Sequence, residues 1–217
     1  MSAQWNHNYQ YICIEGNIGT GKTTFCKLLS QDFNCELILE QFTDNPFLPM
    51  FYKDPSRYAF PVELFFMSER YKQLQETLVN KGMFKEIYLS DYFFRKTALF
   101  AQKNLNEEEY RLFLRFFEIL NQLFPEPDLL VYLHRSVDKL YEQIKLRNRS
   151  IERDLQKQYL ENIQNSYFEY FRSETRYPVL IIDIEHLDFE NNLEHYQQLK
   201  NLIFRPYQPG VHRISLS

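Results

Sequence analysis

Apolar residues in this chain fall into short continuous runs separated by stretches of helical period. Residues 9–15 (YQYICIE) form an apolar run that stops at a glycine, as a buried strand does. Residues 22–32 carry Phe25, Leu28 and Leu29 at helical spacing, and residues 36–39 (ELIL) read as a second short strand. The stretch 41–61 contains Pro46, Pro49, Pro55 and Pro61, so it is expected to be a connection with short turns at most. A helical pattern resumes over 62–80 and is closed by Lys81-Gly82. Residues 87–89 make a third strand that ends at Ser90-Asp91. Helical stretches follow over 93–103 and 107–123, the second opened by Asn106 and the run Glu107-Glu108-Glu109. Residues 128–134 (DLLVYLH) are the most apolar strand, after which Ser136 caps a helix to about residue 146. A basic stretch over 145–153 leads into a helix to about residue 174. A fifth strand over 179–184 and an amphipathic helix over 189–204 complete the pattern.

Strands alternating with helices predict an α/β fold with a parallel sheet covered by helices on both faces. Five strands are expected in it. No repeat, low-complexity stretch or linker divides residues 1–217, so a single domain is expected.

Composition narrows the class. Apolar residues make up 44% of the 217, enough to fill a core. The chain has 20 Phe and 16 Tyr against one Trp, and such rings either pack a core or stack on a base. A net charge of −4 without a basic stripe argues against a nucleic-acid surface. Cys13, Cys26 and Cys35 lack a C-x-x-C spacing and are expected to be thiols in a reducing compartment. The five His residues are scattered, which disfavours a zinc site. The first eight residues are polar rather than signal-like, and no apolar run approaches the ~20 residues that cross a bilayer. The expectation is a cytoplasmic protein without a membrane partner.

One motif carries chemistry by itself. Gly16-Asn17-Ile18-Gly19-Thr20-Gly21-Lys22-Thr23 matches G-x-x-x-x-G-K-[ST] between a strand and a helix. The glycines let backbone N–H groups turn inward around phosphate oxygens, and the helix beginning near Lys22 adds its positive end. Lys22 is placed to reach the β- and γ-phosphates, and the Thr23 hydroxyl to ligate Mg²⁺. The loop implies ATP as donor and leaves the acceptor open. Glu40 ends the second strand, where open α/β sheets bind ligands, and a carboxylate there can accept the proton of an attacking hydroxyl. Alone, it is equally an ordinary exposed acid.

The chain resembles the deoxynucleoside kinase family in three segments. These are EGNIGTGKTT (15–24), which extends the loop through Thr24, FYKDPSRYAFP (51–61) and LRNRSIE (146–152). More weakly, the resemblance runs over nearly the whole chain. It implies a P-loop kinase in which Glu40 is the base on a nucleoside 5′-hydroxyl. Tyr52 and Glu152 would grip the sugar 3′-hydroxyl, and Arg147 and Arg149, from an arginine-rich lid over about 145–153, would close on the transferring phosphoryl group. Asp91 would support Mg²⁺ beside Thr23, unless it is only a helix N-cap. Glu63, Arg70 and Phe100 fall in the part of the pattern that surrounds the acceptor. A homodimer is also implied, through helices such as that over 107–123.

Two departures from the family stand out. The usual acid–Arg–Ser triplet reads Asp91-Tyr92-Phe93, with Arg95 or Lys96 as substitutes for the arginine. Glu63 occupies the place of a glutamine that pairs with the base. Glu63 and Arg70 share a helix face, as a base-selective pocket end or as a surface ion pair. A carboxylate only accepts, which points to a guanine-type base; deoxyadenosine stays open because of Arg70. Rival readings are a nucleoside monophosphate kinase and a non-catalytic nucleotide-binding subunit.

Overall fold

The protein is described here by a computed structural model that covers residues 9–40, 45–80, 87–149, 152 and 154–216. Its centre is a six-stranded sheet in the order β2-β3-β1-β4-β5-β6, every neighbouring pair parallel. The strands are β1 (Tyr11–Gly16), β2 (Glu36–Ile38), β3 (Tyr88–Ser90), β4 (Leu129–His134), β5 (Pro178–Asp183) and β6 (Gly210–Ser215). Alternation along the central strands feeds two cores. Tyr11 and Cys13 of β1 and Leu130 and Tyr132 of β4 face one cluster, while Ile12, Ile14, Leu129, Val131 and Leu133 face the other. Strands buried on both faces need no polar positions, which explains their continuous apolar runs.

The helices are α1 (Lys22–Asp32), α2 (Leu48–Lys53), α3 (Pro55–Leu74), α4 (Lys96–Asn104), α5 (Glu107–Asn121), α6 (Val137–Arg147), α7 (Lys157–Ser173) and α8 (Leu193–Ile203). Helix α5 begins with the capping box expected of Asn106, whose side chain accepts from the Glu109 N–H while Glu109 accepts from the Asn106 N–H. Ser136 caps α6 as its sequence predicts.

Three expectations need correction. The proline-bearing stretch is largely helical, because Pro49 and Pro55 sit in first turns, where a missing N–H costs nothing. Pro61 lies inside α3, and that helix continues into a π-helical turn over Gln75–Asn80. The expected closure at Lys81-Gly82 lies outside the described residues. A sixth strand was not expected: β6 alternates half-buried and exposed positions at the sheet edge, a weaker signal than a continuous apolar run. Finally, α4 starts only at Lys96, so Asp91 caps no helix.

Strand β1 lies between β3 and β4, so the β1–β2 and β3–β4 connections run toward opposite sides of the sheet. The crevice at the carboxyl ends of these strands is where an open α/β sheet binds ligands. Gly16 ends β1 there, and Glu40 and Asp91 follow the ends of β2 and β3.

Candidate active site

The glycine loop is held by its backbone and by one buried side chain. Asn17 donates through Nδ2 to the Leu160 carbonyl on α7 (2.8 Å) and accepts from the Ile18 N–H (2.8 Å). Gly19 has φ +87°, and a Cβ there would lie 2.9 Å from Ile144 Cγ1 and 3.1 Å from the Leu140 carbonyl. Glycine is therefore required both by conformation and by the close packing of α6. Lys22 Nζ donates to the loop carbonyls of Gly16 (2.8 Å) and Asn17 (3.1 Å). Burial, and then the nearby Lys96, lower its ammonium pKa to about 8.

Behind the loop, Asp91 links three elements. Its Oδ1 accepts from the Glu40 N–H (2.7 Å), its own N–H donates to the Ile38 carbonyl (3.1 Å), and Oδ2 accepts from the Thr23 hydroxyl. Glu40 is thereby fixed at the loop's edge by its backbone. Its side chain is fixed by cations. Arg70 donates to Oε1 through Nε (2.9 Å) and Nη2 (2.6 Å), and Lys96 Nζ lies 2.9 Å from Oε2. Burial alone would raise the Glu40 carboxyl, but Lys96 and Arg70 outweigh it and hold the group far below the usual carboxylate range.

Of Arg95 and Lys96, the two positions offered in place of the arginine missing at Tyr92, Lys96 is the one that reaches Glu40. It is 4% exposed and lies between Glu40 and the fully buried Glu15, 3.9 Å away. Arg95 instead reaches Glu126, and the Tyr92 hydroxyl donates to Gln73 (2.6 Å). Arg70 also donates to the Thr97 hydroxyl (2.9 Å). Glu63 and Arg70 form no surface pair; both are buried. Glu63 accepts from Asn104 Nδ2 at Oε1 (2.6 Å), and its Oε2 meets no hydrogen-bond partner among the described residues.

These groups line one cavity of about 180 Å³. The loop residues Gly16, Gly19, Lys22 and Thr23 form its floor, Glu40, Asp91 and Lys96 one side, and Glu63, Phe66, Arg70, Phe100 and Tyr159 its far end. Tyr52, Arg147, Arg149 and Glu152 close it from the other side. Arg147 pairs with Glu152 at 2.5 Å, and Arg149 is half exposed, 4.0 Å from the same carboxylate. Burial, then the Glu152 charge, raise the Tyr52 phenol, which stays neutral. Ser150, Ile151 and Arg153 of the expected lid lie outside the described residues.

A second cavity of about 460 Å³ opens on the other side of the loop, between Gly19–Thr24 and Arg135, Lys139 and residues 185–191. None of those latter positions was a sequence candidate, since the segment after β5 carries no motif. Asn104 and Tyr159 were missed for a related reason. Tyr159 lines the cavity and Asn104 supports it from behind, an arrangement that depends on the packing of α4 against α7, with Asn104 also donating to the Tyr159 hydroxyl (3.2 Å).

For a divalent cation, no cluster of three or more His, Cys, Asp or Glu ligands exists among the described residues. The touching Thr23 hydroxyl and Asp91 carboxylate nevertheless fit Mg²⁺, which takes one or two protein oxygens and completes its shell with phosphates and water. No described helix is long and apolar enough to cross a membrane, and the three cysteines are free thiols.

Comparison with known proteins gives a consistent picture. Residues 12–205 match the family described as deoxynucleoside kinase. The chain is 31% identical over 196 residues to a deoxyguanosine kinase of Bacillus subtilis, covering 87% of this chain and 93% of that protein. It is 34% identical over 176 residues to a deoxyadenosine kinase of Dictyostelium discoideum, covering 80% and 71%. Among solved structures, a deoxyadenosine kinase from M. mycoides with bound dATP superposes with a TM-score of 0.75, at 22% identity and covering 90% of this chain and 99% of that one.

Proposed function

The chain belongs to the deoxynucleoside kinase family, and from that membership we propose that it transfers the γ-phosphoryl group of Mg²⁺-ATP to the 5′-hydroxyl of a purine deoxynucleoside. The observation that carries the proposal is Glu40. An ionised carboxylate, gripped by Arg70 and Lys96, stands at the junction of the phosphate loop and an aromatic-lined cavity. A hydroxyl hydrogen-bonded to it would be aligned toward a phosphate on the loop. So acidic a group is a weak base, which suits a loose phosphoryl-transfer transition state. In that case the hydroxyl gives up its proton only as its oxygen bonds to phosphorus.

The remaining roles follow the geometry. Loop N–H groups from Gly16 to Thr24 and Lys22 would hold the donor phosphates, with the donor base toward the second cavity. Thr23 and Asp91 would hold Mg²⁺, which neutralises phosphate charge when bound. Arg147 and Arg149 would move from Glu152 onto the transferring group, leaving Glu152 and Tyr52 for the sugar. Glu63 and Phe100 would meet the base. A purine acceptor is supported by the names of the two relatives, a deoxyguanosine and a deoxyadenosine kinase.

A monophosphate acceptor is disfavoured, because Arg70 and Lys96, the cations on the acceptor side, both already face Glu40. The test is a panel of deoxynucleosides, ribonucleosides and nucleoside monophosphates incubated with γ-labelled ATP. Label should appear in a purine deoxynucleoside 5′-monophosphate. Transfer only to monophosphates, or to none of the panel, would refute the reading.

Homodimerisation is part of the same proposal. Leu112, Phe116, Ile119 and Leu123 form an exposed apolar stripe along α5 and just beyond it, 46–64% accessible. A solution mass equal to one chain would exclude it.

A further inference from the structure

The acceptor end of the cavity contains a carboxylate with one oxygen committed and the other not. Glu63 is 2% exposed; Oε1 accepts from Asn104 Nδ2 (2.6 Å), and Oε2 is buried without a partner among the described residues. A buried polar atom left unpaired costs free energy, so such an atom in a ligand cavity marks a contact that the ligand completes. Because Asn104 donates to Oε1, that oxygen stays an acceptor. If Glu63 takes up a proton, the proton belongs on Oε2. The oxygen left for a ligand therefore accepts when Glu63 is ionised and donates when it is neutral.

Purine bases present opposite partners at the corresponding ring nitrogen. Guanine and hypoxanthine carry an N1–H donor, whereas adenine carries an N1 acceptor. We propose that Glu63, oriented by Asn104, selects between these bases by its own protonation, taking guanine-type bases when ionised and adenine when neutral. The inference rests on the purine deoxynucleoside reading above.

Its surroundings allow such a switch near neutrality. Burial raises the Glu63 carboxyl to about 7, against the opposing pull of Asn104 and Arg70. The other charged or titratable groups around it are Arg70 on its own helix, Glu40 after β2, Lys96 on α4, Tyr52 on α2 and Tyr159 on α7. Glu40 is held well below the usual range, while Arg70, Lys96, Tyr52 and Tyr159 are pushed upward, so among these groups Glu63 alone titrates near pH 7.

The measurement is kcat/KM for deoxyguanosine and deoxyadenosine, as a ratio, from about pH 6 to about pH 8.5. The ratio cancels the titration of Lys22 and of other groups that serve both substrates alike, and neither base titrates in this window. In the wild type, the deoxyguanosine preference should rise roughly tenfold or more with pH, centred near the Glu63 transition. Glu63→Gln replaces the switch by a fixed amide, with oxygen toward Asn104 and NH₂ toward the base. Its ratio should be flat and close to the wild-type acid limit. Asn104→Ala removes a bond that favours the ionised form, so the midpoint should move to higher pH, which loss of packing alone would not produce. A flat wild-type ratio with both nucleosides phosphorylated overturns the inference and leaves the kinase reading standing, as does an unchanged slope in Glu63→Gln. Failure to phosphorylate either nucleoside at any pH removes the purine-acceptor reading, and the inference with it.

Discussion

The two halves of the active site are built by opposite means. On the donor side, one short segment does nearly everything: glycines set the turn, the loop carbonyls take Lys22, and α1 begins where the loop ends. On the acceptor side, no two adjacent residues share a task. Glu40, Glu63, Arg70, Lys96, Asn104 and Tyr159 come from one strand end and three helices; ion pairs hold Glu40, Arg70 and Lys96 together, and hydrogen bonds from Asn104 hold Glu63 and Tyr159. A backbone cradle accepts any phosphate donor that fits, because its contacts carry no side-chain code. A cluster of interlocked side chains determines which acceptor fits, and depends on every partner being present.

The largest test of that contrast compares two lysines. Lys96→Met leaves the fully buried Glu15 without its nearby cation and the partly exposed Glu40 with Arg70 alone, and breaking a buried pair from one side costs up to about 3–5 kcal/mol. Chemical denaturation should show that loss. Lys22→Met removes a half-buried ammonium whose hydrogen bonds go to loop carbonyls, so activity should vanish while stability changes little. Equal destabilisation by both would erase the distinction.

Next in size is the arginine pair that bridges the two halves. Arg147→Ala with Arg149→Ala should lower kcat by about 10²–10³ while changing acceptor KM little, because their target is charge that develops during transfer. A rise in KM with kcat intact would place them on the nucleoside instead.

The smallest effect is a pH limb. Lys22 has its pKa lowered to about 8, and it binds phosphate only when protonated. For free enzyme, kcat/KM for ATP should therefore fall roughly tenfold per unit above about pH 8. At saturating ATP, bound phosphates raise the lysine, and the kcat limb should lie at higher pH. Coincident limbs would show that another group is responsible.

The same contrast governs how much could be read from the sequence. The loop was legible in full, since its residues are contiguous and each serves a local conformation. The central strands were legible because burial on both faces leaves them continuously apolar. The stretch from Pro46 to Pro61 departs from its sequence expectation because prolines mark helix starts as readily as breaks, and three of the four here belong to α2 or α3. Acceptor positions such as Tyr52 and Glu152 came from resemblance to a family, not from any local pattern. Lys96 and Arg95 could not be separated in advance. They are neighbours at the start of α4, and only the direction of that helix turns one toward Glu40 and the other toward Glu126. Asn104 had no signal, because its meaning exists only opposite Glu63.

The central claim, that the acceptor hydroxyl is presented to the donor by the clamped carboxylate of Glu40, is tested most directly with Glu40→Gln. Deoxyguanosine affinity by calorimetry and single-turnover phosphoryl transfer should be measured on the same preparation. Affinity should stay within a fewfold of wild type while the transfer rate falls by about 10²–10⁴, the usual share of a positioned base. A variant that transfers at nearly the wild-type rate would contradict the account.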